Sequence, residues 1–249
     1  MKIGSPKVNL HIHSKYSDGR NSIEQIINCA LRTDLDYICI TDHFTDSWKA
    51  DRIPNLNNLD KIKRYLEELT EFKEYLFKKN KKLTLFKGIE IDLSSSEKFI
   101  INNISPNKFD FILFEYLESF EGIAFLKKIL DYWKKKNYNG FPLIGLAHFD
   151  PSFFMIRGLD MLLEFLRRYD VIVELNSSYP QFYAPKYDIF FNRLRDSGIK
   201  VSIGCDSHHL STLKDIEGPY EMIEYYNLEE NVASLIKSLE FKKSIYLKK

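Results

Sequence analysis

No apolar run in this chain approaches the roughly 18 residues that a membrane-spanning helix requires. The opening MKIGSPKVNLHIH contains no apolar h-region, so a secretory signal is not expected and the expected address is cytoplasmic. Neither sign of charge dominates, since 36 Lys and Arg nearly cancel 35 Asp and Glu. That balance removes the global positive field that gathers nucleic acid or an anionic membrane, leaving only a local basic patch open. Cysteine is scarce, and Cys29, Cys39 and Cys205 show no C-x-x-C spacing, which argues against a disulfide framework or a thiolate zinc site. They are read as small buried apolar residues. No Pro/Gly/Ser-rich linker and no low-complexity stretch interrupts the sequence, so one domain over residues 1–249 is expected.

What is present is alternation. Seven short β-rich runs recur, KVNLHIH, DYICITDH, LTLFKGIEID, FDFILFEYL, LIGLAHF, VIVELN and KVSIGCDSH, with helical periodicity between them. Several are nearly continuous apolar runs, as parallel strands buried on both faces must be. Ser22 and Gln25 stand at capping-box spacing before a stripe of Ile23, Ile26, Ile27, Ala30 and Leu31. The next connection repeats the pattern with Leu59, Ile62, Leu66, Leu69, Phe72 and Leu76, and its FKKNKK end reads as a solvated helix terminus and turn. Further helices are expected near 119–136, 158–169, 185–197 and 229–240. Such alternation without a linker implies an α/β fold, either a (β/α) barrel or a doubly wound open sheet. In both, chemistry sits at the carboxyl ends of the strands.

All six histidines, His11, His13, His43, His148, His208 and His209, fall at or just beyond those ends. The acids Asp18, Asp42, Glu90, Asp92, Glu115, Glu174 and Asp206 join the same rim. Side chains alternate across a strand, so His11 and His13 share one face, with Leu10 and Ile12 on the other. A lone histidine on an apolar strand is more often a hydrogen-bonded core residue, whereas two adjacent neutral imidazoles offer a bidentate nitrogen site for a borderline metal. Asp206 and His208 also share a face, and the two oxygens of Glu90 suit a bridge between two cations. Convergence on one rim favours a metal site over a scatter of solvated loops.

The motifs HIHSKYSDG (11–19), TDH (41–43), GIEID (88–92), AHFD (147–150), ELN (174–176) and GCDSH (204–208) together resemble the PHP superfamily, named for polymerase and histidinol phosphatase domains. The resemblance implies a distorted seven-stranded (β/α) TIM-like barrel with two or three divalent metals, zinc, manganese or iron, that hydrolyses phosphoesters. It implies one metal on His11, His13, Glu90 and Asp206, with Glu90 bridging to a second that His148 also holds, and a third on Asp18, His43 and His208. One departure stands out. The family usually carries a histidine after strand four, where this chain reads FDFILFEYLESF. Either Glu115 or Glu118 replaces it, giving a harder, oxygen-rich second site suited to manganese or iron, or that site is weak; Glu115, nearer the strand end, is the choice. As an ordinary capping or salt-bridged acid, Glu115 would need no metal.

Clustered cations lower the pKa of a bridging water to yield hydroxide and neutralise charge on a phosphoryl group, so the protein needs no nucleophile of its own. The absence of a G-x-S-x-G elbow and of a P-loop lysine motif agrees with that. Asp206 or His209 is a candidate to assist the leaving group. Glu174 and Asn176 are candidates to orient imidazoles or substrate, and Arg20 and Arg157 to grip a phosphate. The leading expectation is a phosphatase for a small-molecule phosphomonoester, similar to the stand-alone histidinol-phosphatase branch. A nuclease or phosphodiesterase would need a basic, aromatic-lined track, and nucleic acid is not favoured in a neutral chain. An amidohydrolase would need a bridging lysine at strand four, where FEYLE stands. A metal-binding module without turnover would show broken ligands, and the missing histidine is the one such sign.

Overall fold

A computed structural model describes residues 6–136 and 140–247. Its strands are β1 (Val8–Asn9), β2 (Tyr37–Ile40), β3 (His43–Phe44), β4 (Thr84–Asp92), β5 (Phe111–Glu115), β6 (Leu143–Leu146), β7 (Val171–Asn176) and β8 (Val201–Gly204). All pairings are parallel, in the order β1-β2-β4-β5-β6-β7-β8, with β3 on β4. Both β2 and β3 run along β4, through Tyr37 against Thr84 and His43 against Glu90, so they are two lengths of a single stave. The barrel therefore has seven staves. The break spans Thr41 and Asp42, and the stave stays in place across it, Thr41 N–H donating to the Ile12 carbonyl at 2.8 Å and Glu90 N–H to the Asp42 carbonyl at 3.1 Å. Closure between the first and last staves continues beyond their ends: Leu10 N–H reaches the Ile203 carbonyl and His13 N–H the Ser207 carbonyl, both at 2.9 Å.

The apolar expectation for the strands holds, since every residue of β2, β5, β7 and β8 is buried. Around them pack α1 (Ile23–Ala30), α2 (Leu59–Lys78), α3 (Glu97–Asn103), α4 (Phe120–Lys135), α5 (Ser152–Ile156), α6 (Leu159–Tyr169), α7 (Asp188–Asp196), α8 (Glu217–Tyr226) and α9 (Glu229–Leu247). The capping box forms as its spacing requires: Gln25 N–H donates to Ser22 Oγ, and Gln25 accepts from Ser22 N–H. In α2 the stripe is shifted. Leu59, the first helical residue, is exposed, while Lys73 is buried because its ammonium meets Asp110 at 2.6 Å. Helix α8 was not expected from periodicity; Gly218 and Pro219 in its first turn mask the pattern. Cys39 and Cys205 are buried and Cys29 half-buried. Among the described residues no helix is long and apolar enough to cross a membrane.

Candidate metal centre

The carboxyl rim of the barrel holds three of the six non-glycine residues with positive φ among the described residues. Tyr116, His148 and Asp206 follow β5, β6 and β8 with φ of 65°, 32° and 49°, a left-handed conformation costly for residues with a Cβ. The turn aims His148 and Asp206 back over the barrel mouth. A different constraint acts at Gly204, where an added Cβ would lie 2.0 Å from Glu174 Oε1 and 2.6 Å from His11 Cβ. The missing side chain lets Glu174 reach His11.

His11 and His13, on one face as alternation requires, bring their Nε2 atoms to 3.0 Å. Glu90, fully buried in β4, is the hub. Its Oε1 lies 3.3 Å from His11 Nε2 and 3.4 Å from His148 Nε2; its Oε2 lies 2.9 Å from His43 Nδ1 and 3.4 Å from His13 Nε2. Asp206 Oδ1 meets His13 Nε2 at 2.8 Å and His11 Nε2 at 3.4 Å. Asp18 Oδ1 is 3.1 Å from His208 Nε2 and 3.8 Å from both His13 Nδ1 and His43 Nε2. These atoms form three overlapping donor groups, His11–His13–Asp206, His13–Asp18–His43–His208 and His43–Glu90–Glu115, each with its donor atoms within 4.8 Å of one another.

The donor set fits divalent cations on an independent count. Among the described residues nine buried side-chain N or O atoms lack a hydrogen-bond partner, and five of them are Asp18 Oδ1, His43 Nδ1, both oxygens of Glu90 and Asp206 Oδ1. Buried polar atoms are normally satisfied, so orphans gathered at one point call for a ligand. Mixed imidazole and carboxylate donors suit zinc, manganese or iron.

Charge is distributed accordingly. Burial alone would lower the imidazoles, but Glu174, Glu90 and Asp206 hold His11 well above its ordinary value, and Glu90 with Glu115 lifts His43 to about 10. His148 is raised against burial by Glu90, and His208 against burial by Asp18 and Asp206. His13 is lowered, burial and the charge of His43 outweighing Asp206 and Glu90. On the acid side burial opposes ionisation, yet His11 and His43 depress Glu90, His11 and His13 depress Asp206, and His208 with His13 depresses Asp18.

A surrounding layer fixes these donors. Glu174 accepts from His11 Nδ1 at 3.1 Å through either oxygen and from the backbone N–H of His148 at 2.7 Å. Asn176 Nδ2 donates to Glu174 at 3.0 Å and lies 3.3 Å from His11 Nδ1. Asp42 does not face the cluster; it accepts from the N–H and hydroxyl of both Ser14 and Ser17, at 2.6–3.0 Å, and so shapes the loop that presents Asp18. Asp92 likewise turns away and accepts from Thr45 and Ser47 in the loop after β3.

His209, Arg20, Arg157 and Glu118 are exposed, and neither His209 nor Glu118 belongs to any of the three donor groups. Glu115 is buried, with Oε1 3.5 Å from His43 Nδ1 and Oε2 3.9 Å from His148 Nε2. Lys49, which no sequence pattern singled out, places its ammonium 2.8 Å from both Glu115 oxygens. The only signal available was the lone buried acid at the end of β5, which needs a cationic partner.

A family model described as PHP domain matches residues 9–178. A curated relative, the DNA polymerase/3'-5' exonuclease PolX of Bacillus subtilis, is 21% identical over 231 residues; the match takes in 87% of this chain but 37% of that protein. Among solved structures, the histidinol phosphate phosphatase of Lactococcus lactis, complexed with zinc, L-histidinol and phosphate, aligns with a TM-score of 0.57 and 17% identity over 88% of this chain and 93% of that one. The metal-dependent tyrosine phosphatases YwqE of Bacillus subtilis and CpsB of Streptococcus pneumoniae align with a TM-score of 0.50 and 15% identity, over 89% of this chain and 93% of the matched one. At these identities the likeness to solved structures establishes the fold.

Proposed function

We propose, because this chain belongs to the PHP-domain family of metal-dependent phosphoesterases, that it is a phosphatase hydrolysing a small phosphomonoester. The observation that carries the reading is the cluster of unpartnered buried donors around Glu90. His11, His13, Glu90 and Asp206 would hold one metal, and Asp18, His43 and His208 another, with His13 within reach of both. At a second position between them Glu90 and His148 meet Glu115, which Lys49 already holds. When bound, such cations supply hydroxide at neutral pH and Lewis-acid neutralisation of the phosphoryl charge.

The chain's own residues do the rest. Glu174 locks the His11 ring by accepting its Nδ1 proton, so that Nε2 is the free donor toward Glu90 and Asp206. Glu174→Gln is expected to weaken manganese binding by about 10–100-fold with little change in fold; titration calorimetry giving the wild-type constant would exclude that role. Arg20 stands beside His208 through its backbone N–H and, with Arg157, is the proposed guanidinium source for a phosphate. Asp206 or His209 is proposed to assist the departing oxygen, Asp206 as an ionised carboxylate that orients a water and His209 as a proton donor. A small substrate is supported by a cavity beside His148 lined by Phe114, Tyr116, Phe149, Tyr179 and Phe182. Tyr179 packs on the His148 ring at 4.4 Å and stacks on Phe182 at 5.6 Å, which suits a compact, planar leaving group such as histidinol or a phenol.

The test is turnover of p-nitrophenyl phosphate and of a panel of phosphorylated metabolites, histidinol phosphate among them. Activity is expected to vanish with chelator and return with manganese or zinc. The curated relative favours a second reading, a nuclease, and a 3'-terminated single-stranded oligonucleotide belongs in the same panel. Degradation of the oligonucleotide with no monoester turnover would select it; inactivity on every substrate after reloading would overturn both.

A further inference from the structure

We propose that Lys49 is a built-in cation whose ammonium takes the second position of the cluster, so that the chain loads two metals where its donors would otherwise take three. The inference rests on the metal-dependent reading above and concerns how many ions the site admits. Three observations on different segments carry it. The end of β5 supplies the buried carboxylate of Glu115, which adds one negative charge to a site already holding Glu90 and Asp206. The Lys49 ammonium spans both Glu115 oxygens at 2.8 Å, 88% of its side chain hidden from solvent, and lies 5.0 Å above the ring of Tyr116. Its backbone is not a free surface loop. Ser47 caps the short turn Trp48–Asp51 that carries Lys49, Ser47 and Thr45 are both held by Asp92, and Asp46 is tied to Ser96.

The physical consequence is exclusion by charge. An ammonium bonded to both Glu115 oxygens takes part of their acceptor capacity and weakens them as ligands, and a dication beside Glu115 would sit against a fixed positive charge in a buried setting. Lysine also accounts for the acid at this point: a buried Glu115 without a metal needs a cation, and Lys49 is that cation. His148, 3.9 Å from Glu115 and 3.4 Å from Glu90, then remains as a neighbour of Glu90. The Glu115–Lys49 pair is neutral as a unit, so it fills the position with a cation fixed covalently to the chain and adds none of the double positive charge that a dication would bring.

The test is metal content after equilibrium dialysis against manganese(II), measured by mass spectrometry, with circular dichroism as a check on folding. Wild type is expected to hold about two equivalents, Lys49→Met about three, and the double variant Lys49→Met/Glu115→Gln about two again. Lys49→Arg, which keeps the charge, is expected to stay at about two and serves if the methionine variant does not fold. About three equivalents in wild type, or no gain in a folded Lys49→Met protein, overturns the proposal and leaves the phosphoesterase reading intact. No manganese in any of the four proteins overturns that reading first and this one with it.

Discussion

His13→Ala is expected to abolish measurable phosphatase activity while the barrel stays folded. His13 belongs to two of the three donor groups, with His11 and Asp206 on one side and with Asp18, His43 and His208 on the other. Its loss therefore strips a nitrogen from both metal positions at once. If each position contributes several kcal/mol of charge stabilisation in the transition state, turnover should fall by roughly 10³-fold or more. The fold is protected because the structural work of this residue is done by its backbone, whose N–H closes the barrel onto Ser207 at 2.9 Å. The side chain leaves a polar, water-accommodating space rather than a hole in the apolar core. Steady-state rates with manganese, together with a thermal melt, check this; a wild-type rate in a variant with wild-type melting would show that His13 is not a ligand.

Much of this was legible in the sequence because it rests on short-range rules. The pairing of His11 with His13 on one face follows from strand alternation alone, and the Ser22 cap from three-residue spacing. Convergence on the rim follows from the parallel barrel: once seven strands run the same way, Glu90, His148, Glu174 and Asp206 must arrive at one end. What spacing does not carry is long-range partner choice. Asp42 and Asp92 sit on the rim as expected, yet each is consumed in holding a loop, because serine and threonine hydroxyls 25 to 47 residues away reach them first. Lys49 lies in a loop with no period to mark it, and its pairing with Glu115 crosses 66 residues. His209 directly follows His208 but is exposed, its backbone extended, so its side chain turns away from that of its neighbour.

Glu90→Gln, nearly isosteric with the wild type, is expected to lower turnover by about 10³-fold and to change how pH and metal set stability. Four imidazoles approach the Glu90 carboxylate, so a neutral amide in its place removes a donor and the charge that balances His11 and His43. In metal-free wild type, Glu90 is depressed below its ordinary 4.5, so its stabilisation is complete above that value and fades as pH falls through its folded-state value. His11 and His43 are raised, so theirs is complete below 6.5 and fades as pH rises, for His43 through about 10. The metal-free protein should thus gain most from this cluster between about pH 4.5 and 6.5. Metal displaces those imidazole protons, so the melting shift caused by manganese should grow from about pH 5.5 to about pH 8. At a manganese concentration 100 times Kd, that stabilisation is about 2.7 kcal/mol, and most of it should be absent from the Glu90→Gln variant. A manganese shift that shrinks with rising pH, or one of equal size in the variant, would remove Glu90 from the centre of the cluster.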